Sequence, residues 1–277
     1  MSAAMSRPFL KMNGLGNDFV VVETRSAPFT PSAEEVRAIA DRASGVGCDQ
    51  LIAIDPSDEA DAFVRFWNAD GEEVAACGNG TRCAGWLLMQ ASGKDEAVIE
   101  TKAGRLIARR AGERLVSVDM GEPRLAWDQI PLAAPHDTDA LEVLLYDHAD
   151  LMVPPGCVSM GNPHVVFFVP DVEQAPIAEA GPAVEKHPLF PEHVNVGFAQ
   201  ILGRDRIRLR VFERGAGLTK ACGTGACAAL VAAARRGLTD RSATLVLDGG
   251  ELFIEWLQHG RVIMTGPAAV DFQGELA

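Results

Sequence analysis

The chain has 277 residues, 48% of them hydrophobic, which is enough length and apolar content for a buried core and excludes a disordered chain. Its 38 acidic residues outnumber 25 basic ones and give a net charge of −13, so nucleic acid and anionic membranes would be repelled. No signal-peptide pattern opens the chain and no apolar run is long enough to cross a bilayer, so we expect a cytoplasmic protein without a membrane partner.

In the first half of the chain, short apolar runs predict strands at residues 19–22, 51–54, 62–67 and 115–118. A helix is predicted over residues 32–43, with Ser32 as candidate N-cap and with Glu34 and Glu35 in the first turn, where negative charge is favoured. A second helix is predicted over residues 81–90, which include Leu87, Leu88 and Met89 and end near Gly93.

The second half of the chain shows a similar order of elements. Apolar runs predict strands at residues 165–169, 207–212, 244–247, 252–256 and 262–264. An Ala-rich segment predicts a helix over residues 226–236, ending near Gly237. Each half is therefore expected to combine several strands with two helices.

A gap-free internal repeat relates the two halves. Residues 76–80, ACGNG, return as residues 221–225, ACGTG, an offset of 145 from Cys77 to Cys222. At the same offset, further positions align: Asn17 with Asn162, Gln50 with Asn195, and Asn68 with Glu213. Agreement along so many anchors indicates a duplicated fold, with repeats at residues 9–123 and 154–268.

The stretch between the repeats has the composition of a boundary. Residues 124–153 contain Pro131, Pro135 and the acidic run 137–142, and a Pro-Pro-Gly sequence follows. We therefore predict two domains, residues 1–123 and 124–267. The tail, residues 268–277, can return to either unit, and we group it with the first.

Cys77 and Cys222 each precede a predicted helix, where unpaired N–H groups and the helix dipole favour a thiolate. The same N–H groups can hold a substrate carboxylate, and the glycines at 78, 80, 223 and 225 would let the backbone approach a ligand closely. Two such thiols suit removal of a proton from one face of a carbon and its return on the other. The plainer alternative is that both are small buried residues in duplicated turns.

The remaining cysteines are Cys48, Cys83, Cys157 and Cys227, and we expect them in the core. The spacings from Cys77 to Cys83 and from Cys222 to Cys227 are not those of a zinc knuckle, so no metal site is predicted. The sequence shows no dinucleotide fingerprint, no Walker loop and no lysine in a pyridoxal phosphate context, so no cofactor is expected.

Amide side chains recur at matched positions of the two repeats. Any one of them is usually a turn former, but together with Glu213-Arg214 they suggest a polar cage for a ligand with ammonium and carboxylate ends. The members are Asn17, Gln50, Asn68, Asn162 and Asn195. His164 stands beside Asn162 at the start of a predicted strand, where a histidine is either structural or functional.

Five motifs together resemble the diaminopimelate epimerase family over nearly the whole chain. They are KMNGLGNDF at 11–19, NADG at 68–71, ACGNGTRC at 76–83, GNPH at 161–164 and ERGAG leading to ACGTG at 213–225. The resemblance implies an α/β (α+β) fold of two pseudo-symmetric domains, each a mixed or antiparallel sheet wrapped around a central helix, with the active site in the cleft between them. It also implies a cofactor-independent isomerase that converts LL-2,6-diaminopimelate to the meso form, a precursor of lysine and peptidoglycan.

The resemblance further implies a role for each site residue. Cys77 and Cys222 would be the two bases, with His164 assisting Cys77 and Glu213 assisting Cys222. Side chains that would hold the substrate are those of Asn17, Gln50, Asn68, Asn162, Asn195, Glu213 and Arg214. Donors to the reacting carboxylate would come from Gly78, Asn79, Gly223 and Thr224. We also expect a homodimer, although the sequence itself does not fix the oligomeric state.

Three alternatives stay open. A proline racemase-like enzyme would share the second motif but usually has histidine after the first Cys-Gly, where Asn79 stands here. The related phenazine-biosynthesis isomerases would not need two cysteines. A non-catalytic thiol or metal-binding protein would instead hold zinc or a stable disulfide.

Overall fold

The computed structural model describes residues 7–142 and 154–276, which divide into two units of mixed α and β structure. The first unit runs to Asp119 and resumes at Thr265, and the second spans Met120–Met264. The prediction of a mixed α/β fold is confirmed. Residues 143–153 of the proposed connector, including His148, lie outside the described residues.

The first segment of the first unit, which ends at Asp119, contains β1 (Arg7–Asn13), β2 (Asp18–Glu23), α1 (Ala33–Ala40), β3 (Gln50–Asp55), β4 (Ala62–Asn68), β5 (Glu73–Val74), α2 (Gly78–Ser92), β6 (Glu96–Thr101), β7 (Gly104–Arg110) and β8 (Leu115–Asp119). The second unit contains β9 (Gly156–Ser159), β10 (Pro163–Phe168), α3 (Ile177–Glu185), β11 (Asn195–Gly203), β12 (Arg206–Glu213), β13 (Gly217–Thr219), α4 (Gly223–Arg235), β14 (Ser242–Leu247) and β15 (Gly250–Trp256). The chain then continues through β16 (Val262–Pro267) to β17 (Ala269–Leu276).

Strand pairing follows the same sequence in both units. In the first, β1 and β2 are antiparallel, β2 and β3 parallel, β3 and β4 antiparallel, and β4 and β6 parallel. In the second, β9 and β10, β10 and β11, β11 and β12, and β12 and β14 repeat those four relations in that order. The offset seen in the sequence therefore reappears as one topology formed twice.

The segment after β16 pairs with the first strand of the first unit, and the segment after β8 pairs with the first strand of the second unit. In the first unit, β17 runs antiparallel to β1, with Asn13 opposite Ala269. In the second, Arg124 forms an antiparallel bridge with Ser159 at the end of β9. The tail thus returns to the first unit by backbone pairing.

Helices α2 and α4 supply much of the buried interior of their units. In α4, Ala226–Ala233 is an unbroken run of buried residues, with Ala at most positions and with Cys227, Leu230 and Val231 among them. Alanine combines high helix propensity with a small side chain, so such a helix can be packed on all sides. The core positions expected for Cys48, Cys83, Cys157 and Cys227 are all at most 2% exposed.

Helix α1 begins as its sequence predicts. The Ser32 hydroxyl accepts a hydrogen bond from the Glu35 N–H at 3.2 Å, and the Glu35 carboxylate accepts one from the Ser32 N–H at 2.7 Å. These reciprocal bonds form a capping box. The helix ends at Ala40, three residues before the predicted end at residue 43.

Residues 124–142, predicted as part of a connector, pack into the second unit. Ile130, Leu132 and Leu141 are buried in the same hydrophobic cluster as strands β10 and β11. Their apolar contacts explain why this stretch is part of a core although its prolines and acidic residues suggest a boundary.

Helices α2 and α4 begin three residues earlier than predicted, immediately after Cys77 and Cys222. The glycines at these positions have low helix propensity. They are tolerated because the N–H groups of a first helical turn have no partner within the helix. Strands β6 and β7 were missed because charged residues occupy many of their positions. No helix among the described residues is both long and apolar enough to cross a membrane.

Candidate active site

Cys77 and Cys222 are the N-cap residues of α2 and α4. Both have extended backbone conformations, and each sulfur accepts a hydrogen bond from the N–H three residues ahead, Gly80 or Gly225, at 3.4 Å. Both thiols are free of disulfides. The sulfurs therefore lie where helix N–H groups and the helix dipole stabilise negative charge.

Packing requires the second glycine of each Gly-x-Gly. A Cβ at Gly80 would lie 2.8 Å from Phe66 Cε1 and 2.9 Å from Ile52 Cδ1, inside the sheet of the first unit. A Cβ at Gly225 would lie 3.0 Å from Val211 Cγ2 and 3.2 Å from the sulfur of its own N-cap cysteine. These contacts show that both glycines are required for packing, and the expectation that they also allow close approach of a ligand stays a prediction.

The two thiols differ in exposure. Cys77 is partly exposed, whereas Cys222 is 4% exposed. Burial raises the pKa of the Cys222 thiol well above its usual value, and the nearby Glu213 carboxylate raises it further. The Thr224 hydroxyl and the Gly225 N–H lower it by donating to the sulfur. Cys222 is therefore held as a thiol unless a neighbour accepts its proton.

In the first unit, the amides predicted to bind substrate lie near the ends of neighbouring strands. Gln50 on β3 faces Asn68 on β4, and its Nε2 donates to Asn68 Oδ1 at 2.8 Å. That bond leaves Gln50 Oε1 buried, without a hydrogen-bond partner in the described parts of the chain. An unsatisfied buried acceptor is costly, and a ligand N–H would satisfy it.

Asn17 is oriented by a group of four charged side chains that the sequence did not reveal. Its Nδ2 donates to Asp49 at 2.7 Å, and Arg42 contacts both Asp49 and Asp18 at 2.8 Å. Lys11, only 6% exposed, binds Asp18 at 2.6 Å. Although burial acts in the opposite direction, the hydrogen bonds from Arg42 and Lys11 hold the pKa of Asp18 well below its usual range. With Nδ2 bound to Asp49, the Asn17 side chain has a defined direction.

Asn79 is tied down by a buried arginine. Arg82 has no exposed surface, and it donates from Nη1 to Asn79 Oδ1 at 2.9 Å and from Nε to the Pro267 carbonyl at 3.2 Å. These bonds anchor the first turn of α2, where Gly78 and Asn79 follow Cys77. The sequence signal for Arg82 was its place in the 76–83 motif, but nothing in the sequence indicated that it is buried.

In the second unit, His164 on β10 lies opposite Asn195 on β11. Asn195 is 3% exposed, donates to the Pro163 carbonyl at 2.9 Å and accepts from the Arg214 N–H at 3.0 Å. It therefore joins the strand ends that carry His164 and Arg214. The Arg214 guanidinium extends to the Glu192 carbonyl at 2.7 Å.

His164 is a neutral imidazole with a defined tautomer. Burial, with a smaller effect from the Arg214 charge, lowers its pKa to about 3. Its Nε2 lies 3.1 Å from Asn162 Oδ1, which only accepts hydrogen bonds, so Nε2 carries the hydrogen. Nδ1 of the neutral ring is consequently an acceptor.

A chain of hydrogen bonds runs from His164 to Cys222. Asn162 accepts from His164 and donates from Nδ2 to the Thr224 hydroxyl at 3.3 Å, and the Thr224 oxygen lies 3.6 Å from the Cys222 sulfur. These four residues come from two separate parts of the chain, residues 162–164 and residues 222–224. The structure thus brings three predicted substrate or helper residues together around one thiol.

Glu213 completes this arrangement at the end of β12. It shares a hydrogen bond with Cys222 and accepts another from the Thr219 hydroxyl. Burial raises the pKa of the Glu213 carboxyl, and these two hydrogen bonds oppose the rise. Thr219 was missed by the sequence analysis. The hairpin β12–β13, in which Val211 lies opposite Thr219, is the signal that would have placed it beside Glu213.

The described residues form no group that would hold a metal ion. Nowhere in residues 7–142 and 154–276 do three His, Cys, Asp or Glu side chains converge as a metal site would require. Each unit instead places one cysteine sulfur at a helix N-terminus.

Comparisons with known proteins give consistent results. A family model described as diaminopimelate epimerase matches residues 9–126 and 156–270. A protein named diaminopimelate epimerase from Phenylobacterium zucineum (strain HLK1) is 82% identical over 276 residues, covering 100% of both chains. Another of that name, from Caulobacter sp. (strain K31), is 60% identical over 287 residues and covers 98% of both chains.

Solved structures of similar fold are more distant in sequence. A phenazine biosynthesis protein of the PhzF family from Enterococcus faecalis has a TM-score of 0.72 at 16% identity, covering 99% of this chain and 100% of that one. A hydroxyproline epimerase from Agrobacterium vitis, with bound trans-4-OH-L-proline, has a TM-score of 0.68 at 16% identity, covering 98% and 91%. At such identities the likeness establishes the fold alone.

Proposed function

The chain belongs to the diaminopimelate epimerase family and epimerises LL-2,6-diaminopimelate to the meso form, and we propose that Cys77 and Cys222 are the two bases of this reaction. The observation that carries the proposal is the matched pair of N-cap thiols, each receiving a helix N–H at 3.4 Å. Family membership decides against a proline racemase-like enzyme and against a non-catalytic thiol or metal-binding protein.

Inversion of a carbon centre requires a base on one face and an acid on the other. One cysteine starts as thiolate and takes the Cα proton, so that the C–H bond breaks, an S–H bond forms and the electron pair passes towards the adjacent carboxylate. The other cysteine starts as thiol and gives its proton to the opposite face of Cα. The enzyme is left with the two protonation states exchanged, which is the starting state for the reverse reaction.

Helix N-terminal N–H groups supply the stabilisation that such a weak carbon acid needs. We propose that the reacting carboxylate receives hydrogen bonds from the first turns of α2 and α4, at Gly78, Asn79, Gly223 and Thr224. Preorganised donors of this kind each contribute roughly 3 to 4 kcal/mol to a transition state in which charge builds up. Several together are required because a Cα proton is a very weak acid.

The helpers of the two thiols have different chemistry. Glu213 is hydrogen-bonded to Cys222 and is positioned to accept its proton. We propose that His164 assists Cys77, as the family resemblance implies. A neutral ring with Nδ1 as acceptor can take a thiol proton, so the state of His164 supports this role.

The polar side chains near the strand ends are proposed to hold the rest of the substrate. The unpartnered Gln50 Oε1 and the oriented Asn17 amide suit an ammonium group, while the Arg214 guanidinium suits a carboxylate. Asn68, Asn162 and Asn195 are assigned to the same cage, and Glu213 provides a further acceptor for ammonium.

We also propose that the protein acts in the cytoplasm as a homodimer. Strand β17 exposes two large apolar residues, Val270 at 37% and Phe272 at 50%. Exposed apolar residues on one strand support self-association, because burying them removes apolar surface from water. Light scattering with size-exclusion chromatography gives the mass in solution, and a monomeric mass would contradict the dimer.

The two-base proposal is tested by exchange in deuterated water. Incubation of the reduced protein with LL-diaminopimelate is expected to give meso product carrying deuterium at the inverted Cα, observed by NMR. Proline and glutamate serve as matched substrates that should not exchange. Absence of both meso product and Cα exchange under reducing conditions would contradict the proposal.

A further inference from the structure

Two threonine hydroxyls flank the Cys222–Glu213 pair from opposite sides. Thr219 on β13 contacts the Glu213 carboxylate, and Thr224 in the first turn of α4 lies 3.6 Å from the Cys222 sulfur. The Cys222 sulfur is buried and Glu213 is partly buried, so both hydrogen bonds act where water screens charge less than at the surface.

The direction of the Thr224 hydrogen bond follows from its other neighbour. Its oxygen accepts from Asn162 Nδ2 at 3.3 Å. The hydroxyl hydrogen is then free to point at the Cys222 sulfur, whose own hydrogen is directed to Glu213. A donor aimed at sulfur stabilises the thiolate more than the thiol.

The direction of the Thr219 hydrogen bond is fixed when Glu213 is ionised, because a carboxylate only accepts. The Thr219 hydroxyl therefore stabilises the ionised form of Glu213 more than the protonated form. One threonine favours the state with thiolate and carboxylic acid, and the other favours the state with thiol and carboxylate.

We propose that Thr219 and Thr224 are opposing positioning residues that set where the proton shared by Cys222 and Glu213 resides. This inference rests on the proposed role of Cys222 as a base. In one state the proton is on sulfur and Glu213 is ionised; in the other, the S–H bond has broken, an O–H bond has formed on Glu213, and Cys222 is the thiolate that can take a Cα proton.

The equivalent positions of the first unit carry different side chains. At the same offset of 145, Thr219 corresponds to Val74, Thr224 to Asn79 and Glu213 to Asn68. None of these three has a hydroxyl or an ionisable group. The balance between two hydroxyls is therefore specific to Cys222 and is not a by-product of the duplicated backbone.

The titratable groups near Cys222, together with the other cysteines, decide which thiol a titration of the protein observes. Glu213 on β12 is the charged group that acts on Cys222, and His164 connects to the sulfur through Asn162 and Thr224. Burial raises the pKa of Cys48 to about 11 and those of Cys83 and Cys157 to about 12, so these thiols stay protonated at neutral pH.

The test measures the thiolate of Cys222 without turnover. In a Cys77→Ala background, ultraviolet thiolate absorbance is followed from neutral to alkaline pH, and the ratio of thiolate to thiol is compared at the same pH among the parent, Thr219→Val and Thr224→Val proteins. A matching Cys77→Ala/Cys222→Ala protein is subtracted. Valine replaces threonine with little change of shape, and Thr219→Ser and Thr224→Ser restore the hydroxyls as controls. Circular dichroism confirms that each variant is folded.

The two valine variants are expected to shift in opposite directions. Thr219→Val should raise the ratio of thiolate to thiol and Thr224→Val should lower it, each by about tenfold, as expected for loss of one hydrogen bond to a charged group. The serine variants should return to the parent value. A ratio in Thr219→Val at or below the parent, or in Thr224→Val at or above it, overturns the proposal.

Failure here is distinguishable from failure of the two-base proposal. The absorbance measurement uses no substrate, whereas the exchange experiment in deuterated water uses the unmodified protein. Active enzyme with unshifted absorbance would remove the threonines from this role and leave both bases in place. Absence of exchange would instead contradict the bases themselves.

Discussion

Cys77 and Cys222 have the same backbone setting and different chemical surroundings. Each caps a helix and receives an N–H at 3.4 Å, but Cys77 is partly exposed while Cys222 is 4% exposed and hydrogen-bonded to Glu213. A duplicated scaffold thus fixes the position of a sulfur relative to its helix. It does not fix the acidity of that sulfur, which depends on burial and on the side chains nearby.

Different residues at equivalent positions of the two repeats account for the different surroundings of the two thiols. Glu213 stands where the first unit has Asn68, and His164 stands where it has Phe19. The buried Arg82 is opposite Cys227 in the same alignment. In the proposed reaction the substrate carbon loses a proton from one face and gains one on the other, so two different sets of helper residues suit two bases that start in different protonation states.

The largest effect is expected from removing either sulfur. Cys77→Ala and Cys222→Ala should each lower kcat for epimerisation by about a thousandfold, because acid–base groups contribute on this scale. Steady-state assays in both directions measure the loss. The buried Cys227→Ala is the matched control in α4 and should keep near-parent activity. Near-normal turnover in either of the first two variants would remove that cysteine from the base role.

A smaller effect is expected from making the two helper positions alike. Glu213→Gln gives the second unit an amide where the first has Asn68, and it should lower kcat by about a hundredfold, since Cys222 loses its proton acceptor. Glu213→Asp keeps a carboxylate and should retain more activity than the glutamine variant. Kinetics for the three proteins test this order, and equal activity of parent and Gln variant would contradict it.

The smallest effect concerns stability and pH. Burial lowers the pKa of His164 to about 3, below the value of about 6.5 expected in the unfolded chain, so the unfolded state binds the proton first as pH falls. The part of the free energy of unfolding that depends on neutral His164 is complete above about pH 6.5 and is lost as the pH falls towards 3. The loss between pH 7 and pH 5 is about 2 kcal/mol.

The matched variant for that measurement is His164→Gln, whose side chain does not titrate. The equivalent position of the first unit, Phe19, also lacks a titratable group. Denaturant unfolding at pH 7 and pH 5 should show the parent losing about 2 kcal/mol more than the variant. Equal losses in the two proteins would show that His164 is not held neutral by burial.

Much of the local structure was predictable from residues close together in the chain. The capping box of α1 depends on Ser32 and Glu35, three positions apart, and the sequence predicted the helix start from them. The positions of Cys77 and Cys222 at helix starts were predicted in the same way. Strands such as β6 and β7 were not, because their charged residues leave only short apolar runs.

The polar neighbours of the candidate site were only partly predictable. The motifs predicted Asn162, His164, Glu213 and Thr224 as site residues, but they could not show that these residues form a continuous set of hydrogen bonds with Cys222. Nothing in the sequence indicated that Thr219 contacts Glu213 or that Lys11, Asp18, Arg42 and Asp49 form one charged group. Their contacts join residues on different strands and loops, which no local pattern encodes.

The sequence by itself determined the duplication, its offset of 145, the order of the main elements and the placement of one thiol before a helix in each half. These properties follow from local preferences, since caps, turns and hydrophobic periodicity involve residues within a few positions of one another. Only the tertiary structure decided that Cys222 is buried against Glu213 and that His164 is neutral. Protonation depends on desolvation and on groups brought together from distant parts of the chain, so it emerges only when the chain is packed.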